Sequence, residues 1–121
     1  MADQTTELPT PPTLLILCRD LLLGSKITSA AKSAGVAFRV VRDAAKLTGQ
    51  PGRRLIVDLN QDGAIDAAEA WKAASGGDVI GFVSHVDGAT IERARQAGLD
   101  QVISRSAFVQ QLPAIVRPAT R

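Results

Sequence analysis

Apolar residues fall into short unbroken runs, separated by stretches in which they recur every three or four positions. The runs Thr13 to Cys18, Val36 to Val41, Leu55 to Leu59, Val79 to Val83 and Gln101 to Ser104 read as strands. They are apolar throughout instead of alternating, as strands covered on both faces are. Leu22 to Ala34, Ala64 to Ala74 and Gly88 to Ala97 read as helices, with Gly35 and Gly98 as stops. Asp43 to Gly49 allows only a short helix or an irregular turn. Ser106 to Val116 reads as a last helix with Pro113 inside it. Strands alternating with helices predict an α/β fold: a five-stranded parallel sheet, doubly wound, with strand order 2-1-3-4-5. Any site then lies at the carboxyl ends of strands 1, 3 and 4. Residues 1–12 read as a flexible leader, 13–117 as the domain and 118–121 as a short tail.

Composition narrows the function. The chain has 121 residues, 45% of them apolar, which fits one domain and excludes a disordered chain. A net charge of +2, aromatics at 3% and no Tyr argue against a nucleic-acid partner. A single cysteine, Cys18, excludes an internal disulfide framework and a thiolate metal cluster. No apolar run approaches the ~20 residues of a membrane span, and the first twelve residues lack the apolar core of a signal peptide. The expectation is a soluble, cytoplasmic domain that makes no membrane contact.

The predicted topology makes a test of the rim. Arg19-Asp20 follow strand 1, Asp58 ends strand 3 with Asn60 two residues on, Ser84-His85 follow strand 4, and Arg105 follows strand 5. These segments resemble the receiver domain of two-component response regulators, the CheY-like branch of the flavodoxin-like folds, over about Thr13 to Val116. Val57-Asp58-Leu59-Asn60 is similar to the phosphate-acceptor segment. Val83-Ser84 is similar to the hydroxyl segment, and Ala97-Gly98-Leu99-Asp100 resembles the turn before strand 5. The resemblance implies a phospho-acceptor-like Asp58 in a pocket of Arg19, Asp20, Asn60, Ser84, His85 and Arg105. It also implies a signalling partner, kinase or effector, met along Thr90 to Val109, with a homodimer as another route to an effect.

The sequence departs from that family at three places, one of them, Val102, where many receivers carry a switching aromatic. Arg19 stands in place of one of the acidic pair, and Arg105-Ser106 in place of Lys-Pro. A guanidinium ~5 Å from a divalent cation, at an effective dielectric of ~20, repels it by on the order of 6 kcal/mol. Arg19 is therefore expected to pair with Asp58 or Asp20 and fill the place of Mg²⁺. The expected function is an atypical stand-alone receiver-like module, not an enzyme, acting through protein–protein contacts with weak or absent phosphorylation of Asp58 and no cofactor. Two alternatives stay open. A phosphorelay receiver would use Mg²⁺ and accept phosphate on Asp58. A calcium module would use residues 58–69, which match the EF-hand loop: oxygen-bearing residues at loop positions 1, 3, 5, 9 and 12 and Gly63 at position 6. A strand before that loop, where an EF-hand needs a helix, argues against calcium.

Other residues receive plainer readings. Cys18 reads as a small buried filler and Trp71 as packing against the sheet. Arg53-Arg54 read as solvated strand ends. At least one of Leu21, Leu22 and Leu23 is expected to meet solvent, because three consecutive helical residues cannot share one face.

Overall fold

The structure, a computed structural model, describes residues 12–84 and 87–117. Most of the expected leader, the tail and the rim residue His85 lie outside the described residues.

Five strands form one parallel sheet: β1 (Leu14–Leu17), β2 (Phe38–Val41), β3 (Arg54–Asp58), β4 (Asp78–Val83) and β5 (Gln101–Ser104). Their order is β2-β1-β3-β4-β5, as the alternation of elements predicts. The connections are α1 (Leu21–Ala34), a 3-10 turn at Ala44–Leu47, α2 (Ala64–Ser75) and α3 (Gly88–Gln96), with α4 (Arg105–Gln110) and α5 (Leu112–Ile115) at the end.

Successive β1 side chains point to opposite faces, and both faces are dry. Leu14 and Ile16 join Leu23, Ile27 and Ala31 of α1 and Phe108, Leu112 and Ile115 from the last two helices. There Phe82 and Phe108 stack at 4.5 Å between ring centroids. Leu15 and Leu17 face the other way, toward Leu47, Trp71 and Ala94. Trp71 satisfies its indole N–H by donating to Gln50 O at 2.8 Å. Cys18 is buried, as expected.

The register brings the carboxyl ends level. Leu17 lies opposite both Val41 and Val57, Asp58 opposite Phe82, and Val83 opposite Ser104. Every turn leaving these ends opens on one rim.

Three expectations need correction. The strands are not apolar and covered throughout: β2 exposes Arg39 and Val40, and β5 exposes Gln101 and Ser104, because each is an edge with one neighbour. Arg54 is not a solvated end. Its side chain is 13% exposed and holds Asp78 through Nε and Nη2, both at 2.8 Å, while Nη1 donates to Ile115 O at 3.0 Å. The last helix is not continuous. It stops at Gln110 and restarts at Leu112, with Pro113 in the new first turn. Proline has no N–H for the preceding turn and clashes with it, but is at home in a first turn.

Among the leucines after β1, Leu23 is buried, while Leu21 and Leu22 are 65% and 78% exposed. Among the described residues no helix is long and apolar enough to cross a membrane.

Candidate functional site

Asp20 anchors the first side of the rim. Its backbone is extended, and Oδ1 accepts from the N–H groups of Leu22 and Leu23 at 3.0 and 3.1 Å, capping α1. Its other oxygen, Oδ2, lies 3.1 Å from Nη2 of Arg105. The Leu23 N–H holds the Asp20 carboxyl below the ordinary carboxylate range. Burial opposes that shift, and Arg105 adds to it. Arg105 opens α4, directly after Ser104, whose hydroxyl caps that helix by accepting from Ala107 N at 3.2 Å. The Asp20–Arg105 pair therefore joins the turn after β1 to the junction after β5.

Asp58 anchors the middle. It closes β3 half-buried, and its Oδ1 accepts from Asn60 N at 3.0 Å, an Asx turn. Asn60 Oδ1 then accepts from Ser84 N at 2.6 Å. Between them Leu59 folds inward, 4% exposed, and its N–H donates to Phe82 O at 3.0 Å. Gly81 permits that fold: a Cβ there would lie 2.6 Å from Leu59 Cδ1.

Cys18 lies beneath the rim. Burial raises its thiol pKa, and the charges of Asp58 and Asp20 raise it further while Arg105 lowers it. All three charged groups thus lie close enough to act on the same sulfur. The structure brings together Asp20, Arg105, Asp58, Asn60 and Ser84, five of the seven expected rim residues.

Arg19 does not join them in the expected way. It is exposed, forms no ion pair among the described residues, and lines a shallow recess with Leu21, Arg42 and Asp43. The cation that closes on Asp20 is Arg105. Asp20 turns inward to cap α1, and its neighbour in an extended backbone points the other way.

The loop after Asp58 is entered from a strand, with α2 beginning at Ala64, only six residues beyond Asp58. Gly63 adopts φ +75, as the matching loop position requires. Asp66 is paired with Arg93 at 3.1 Å. Among the described residues no group of three or more His, Cys, Asp or Glu is placed to hold a metal ion.

Sequence reading missed a recess between the ends of β4 and β5. Ser84 and Arg105 line it together with Ser104, Ser106, Val109 and Gln110. The only available signal was the clustering of Ser104 and Ser106 around Arg105.

No family model and no curated protein matches the chain. Solved structures do. A response regulator receiver domain protein (CheY-like) from Methanospirillum hungatei superposes with a TM-score of 0.72 at 13% identity, covering 88% of this chain and 94% of its own. The N-terminal domain of a response regulator/sensory box/GGDEF protein from Carboxydothermus hydrogenoformans gives 0.71 at 20% identity, over 86% and 90%. A response regulator from Thermotoga maritima gives 0.67 at 13%, over 88% and 98%. At these identities the likeness is one of architecture, and the chain carries the fold of CheY-like response-regulator receiver domains.

Proposed function

We propose that this chain is an atypical receiver-like signalling module that acts by contacting other proteins, with weak or absent phosphorylation of Asp58. The observation that carries the reading is the commitment of both Asp20 oxygens, one to the amides that start α1 and the other to Arg105.

The fold family implies a divalent cation beside the acceptor aspartate, and the residues here do not fit one. Arg19 replaces a carboxylate of the acidic pair. The remaining carboxylate, Asp20, would have to surrender either its cap or its ion pair to bind a metal. Hard cations of this kind need several free oxygen ligands. Asp58 keeps the position of a phospho-acceptor, and Ser84 sits one hydrogen-bonded residue away through Asn60. Among the described residues the rim offers no group of carboxylates placed to hold the divalent cation that phosphoryl transfer uses.

The chain is incubated with Mg²⁺ and acetyl phosphate and weighed intact. Unmodified protein is expected. Stoichiometric phosphate on Asp58, lost in Asp58→Asn, overturns the reading. A double variant, Arg19→Asp with Arg105→Lys, is expected to gain phosphate under the same conditions. Partner contact is tested by pull-down, with loss expected on surface changes between Gln101 and Val109.

A further inference from the structure

We propose that the recess between β4, β5 and α4 binds a small organic carboxylate with a compact apolar body. Its volume is about 610 Å³, within the ~300–1,000 Å³ of small-molecule sites. Its lining is one-sided in charge. Arg105 supplies a cation, and Ser84, Ser104, Ser106 and Gln110 supply groups able to donate hydrogen bonds. Among the described residues no carboxylate lines it. Val83 and Val109 add an apolar floor, which favours an anion that carries hydrocarbon over a bare inorganic one.

Among the described residues no aromatic side chain fills this space. Phe82 and Phe108 stack inside one core, Phe38 packs against the same core, and Trp71 lies across the sheet. Arg105 remains 40% exposed although it pairs with Asp20 through Nη2, and a guanidinium has further N–H groups to offer a second carboxylate. A bound anion therefore shares Arg105 with Asp20, whose other oxygen caps α1 at Leu22 and Leu23. Occupancy is felt across the rim without any phosphoryl transfer.

The test is a ¹⁵N–¹H titration of the full chain at constant ionic strength, without Mg²⁺ or phosphodonor, using sodium benzoate, benzamide and inorganic phosphate. Benzoate is expected to shift the amides of Ser84, Arg105, Ser106 and Val109 saturably, and to move Leu22 and Leu23 with them. Benzamide and phosphate are expected to bind at least tenfold more weakly. Arg105→Gln is expected to weaken benzoate at least tenfold. Ser106→Glu, which leaves the Asp20 pair in place, is expected to do the same by setting a carboxylate in the rim. No saturable shift with benzoate, equal shifts with benzamide or phosphate, shifts elsewhere on the surface, or indifference to Ser106→Glu in a folded variant overturns the proposal. Failure here leaves the phosphorylation reading standing, because that is scored by mass on Asp58.

Discussion

Adding one methyl group at Gly81 is expected to disturb both the core and the rim. In β4, Gly81 lies opposite Val57 of β3, one position before Asp58. A Cβ there would approach Leu59 Cδ1 at 2.6 Å, Cγ at 2.7 Å and Cδ2 at 2.9 Å. Carbon atoms rest at about 3.5–4.0 Å, so Leu59 must retreat by roughly 1 Å or leave. Overpacking of this kind costs about 1–3 kcal/mol, and exposing a buried leucine about 1.5–3 kcal/mol. Gly81→Ala should therefore destabilise the fold by about 2 kcal/mol. Leu59→Ala alone should cost about 2–4 kcal/mol through the cavity it leaves. Combined, the new methyl occupies part of that cavity, and the double variant should be about 1–2 kcal/mol more stable than the sum of the two singles. Urea denaturation followed by Trp71 fluorescence reads all three, because this lone tryptophan is 3% exposed when folded. The rim supplies a second readout. The Ser84 amide, 2.6 Å from Asn60 Oδ1, should shift in Gly81→Ala and return toward its original position in the double variant. Additivity within about 0.5 kcal/mol would refute the claim that Gly81 is small to make room for Leu59.

Two further expectations concern charge. Arg54→Met should cost about 2 kcal/mol in urea denaturation, less than the ~3–5 of a fully buried pair because Asp78 is 38% exposed and keeps some water; no loss would reduce the double contact with Asp78 to ornament. Burial works against the Asp100 carboxylate, but the Lys72 ammonium at 2.8 Å and the Val79 N–H at 2.7 Å outweigh it and lower its pKa. A lowered folded pKa gives stability that is complete above the unfolded value of ~3.9 and lost as pH falls through the folded one. The melting temperature should hold from pH 7 to about 5 and fall below about 4, less steeply in Asp100→Asn; equal slopes in both would remove Asp100 from the acid transition.

The architecture was legible because hydrophobic patterning acts over whole elements. Leu14 to Leu17 are all buried, and four apolar residues in a row can be so only between two covering layers. The errors fall where a second element decides. Whether Val40 is covered depends on which strand ends at an edge, and β2 gains only one neighbour. Arg54 looks like any charged strand end until the register sets Asp78 beside it, 24 residues away. Pro113 was visible, but its effect depends on where the helix restarts, and Gln111 makes that break.

At the rim the same limit bears on mechanism. Sequence places Arg19 beside Asp20 and so invites the pairing of neighbours in the chain. The fold pairs Asp20 instead with Arg105, which is 85 positions away in sequence and 3.1 Å away in space. The reason is local. Asp20 is the residue whose carboxylate reaches the first free amides of α1, so it turns inward, and Arg19 turns out. Once Asp20 faces in, the cation it meets is the one presented by the β5–α4 junction. The two arginines thus act by different routes. Arg19 removes a carboxylate by substitution, and Arg105 engages the carboxylate that is left. Restoring Asp at position 19 alone leaves Asp20 engaged, whereas Lys at 105 alone leaves the acidic pair incomplete. The double variant is therefore the informative one: phosphate should appear on Asp58 only when both residues are changed, the second by a Lys that keeps the charge but not the guanidinium fork, and a single change that gives full phosphorylation would show that the other arginine is a bystander.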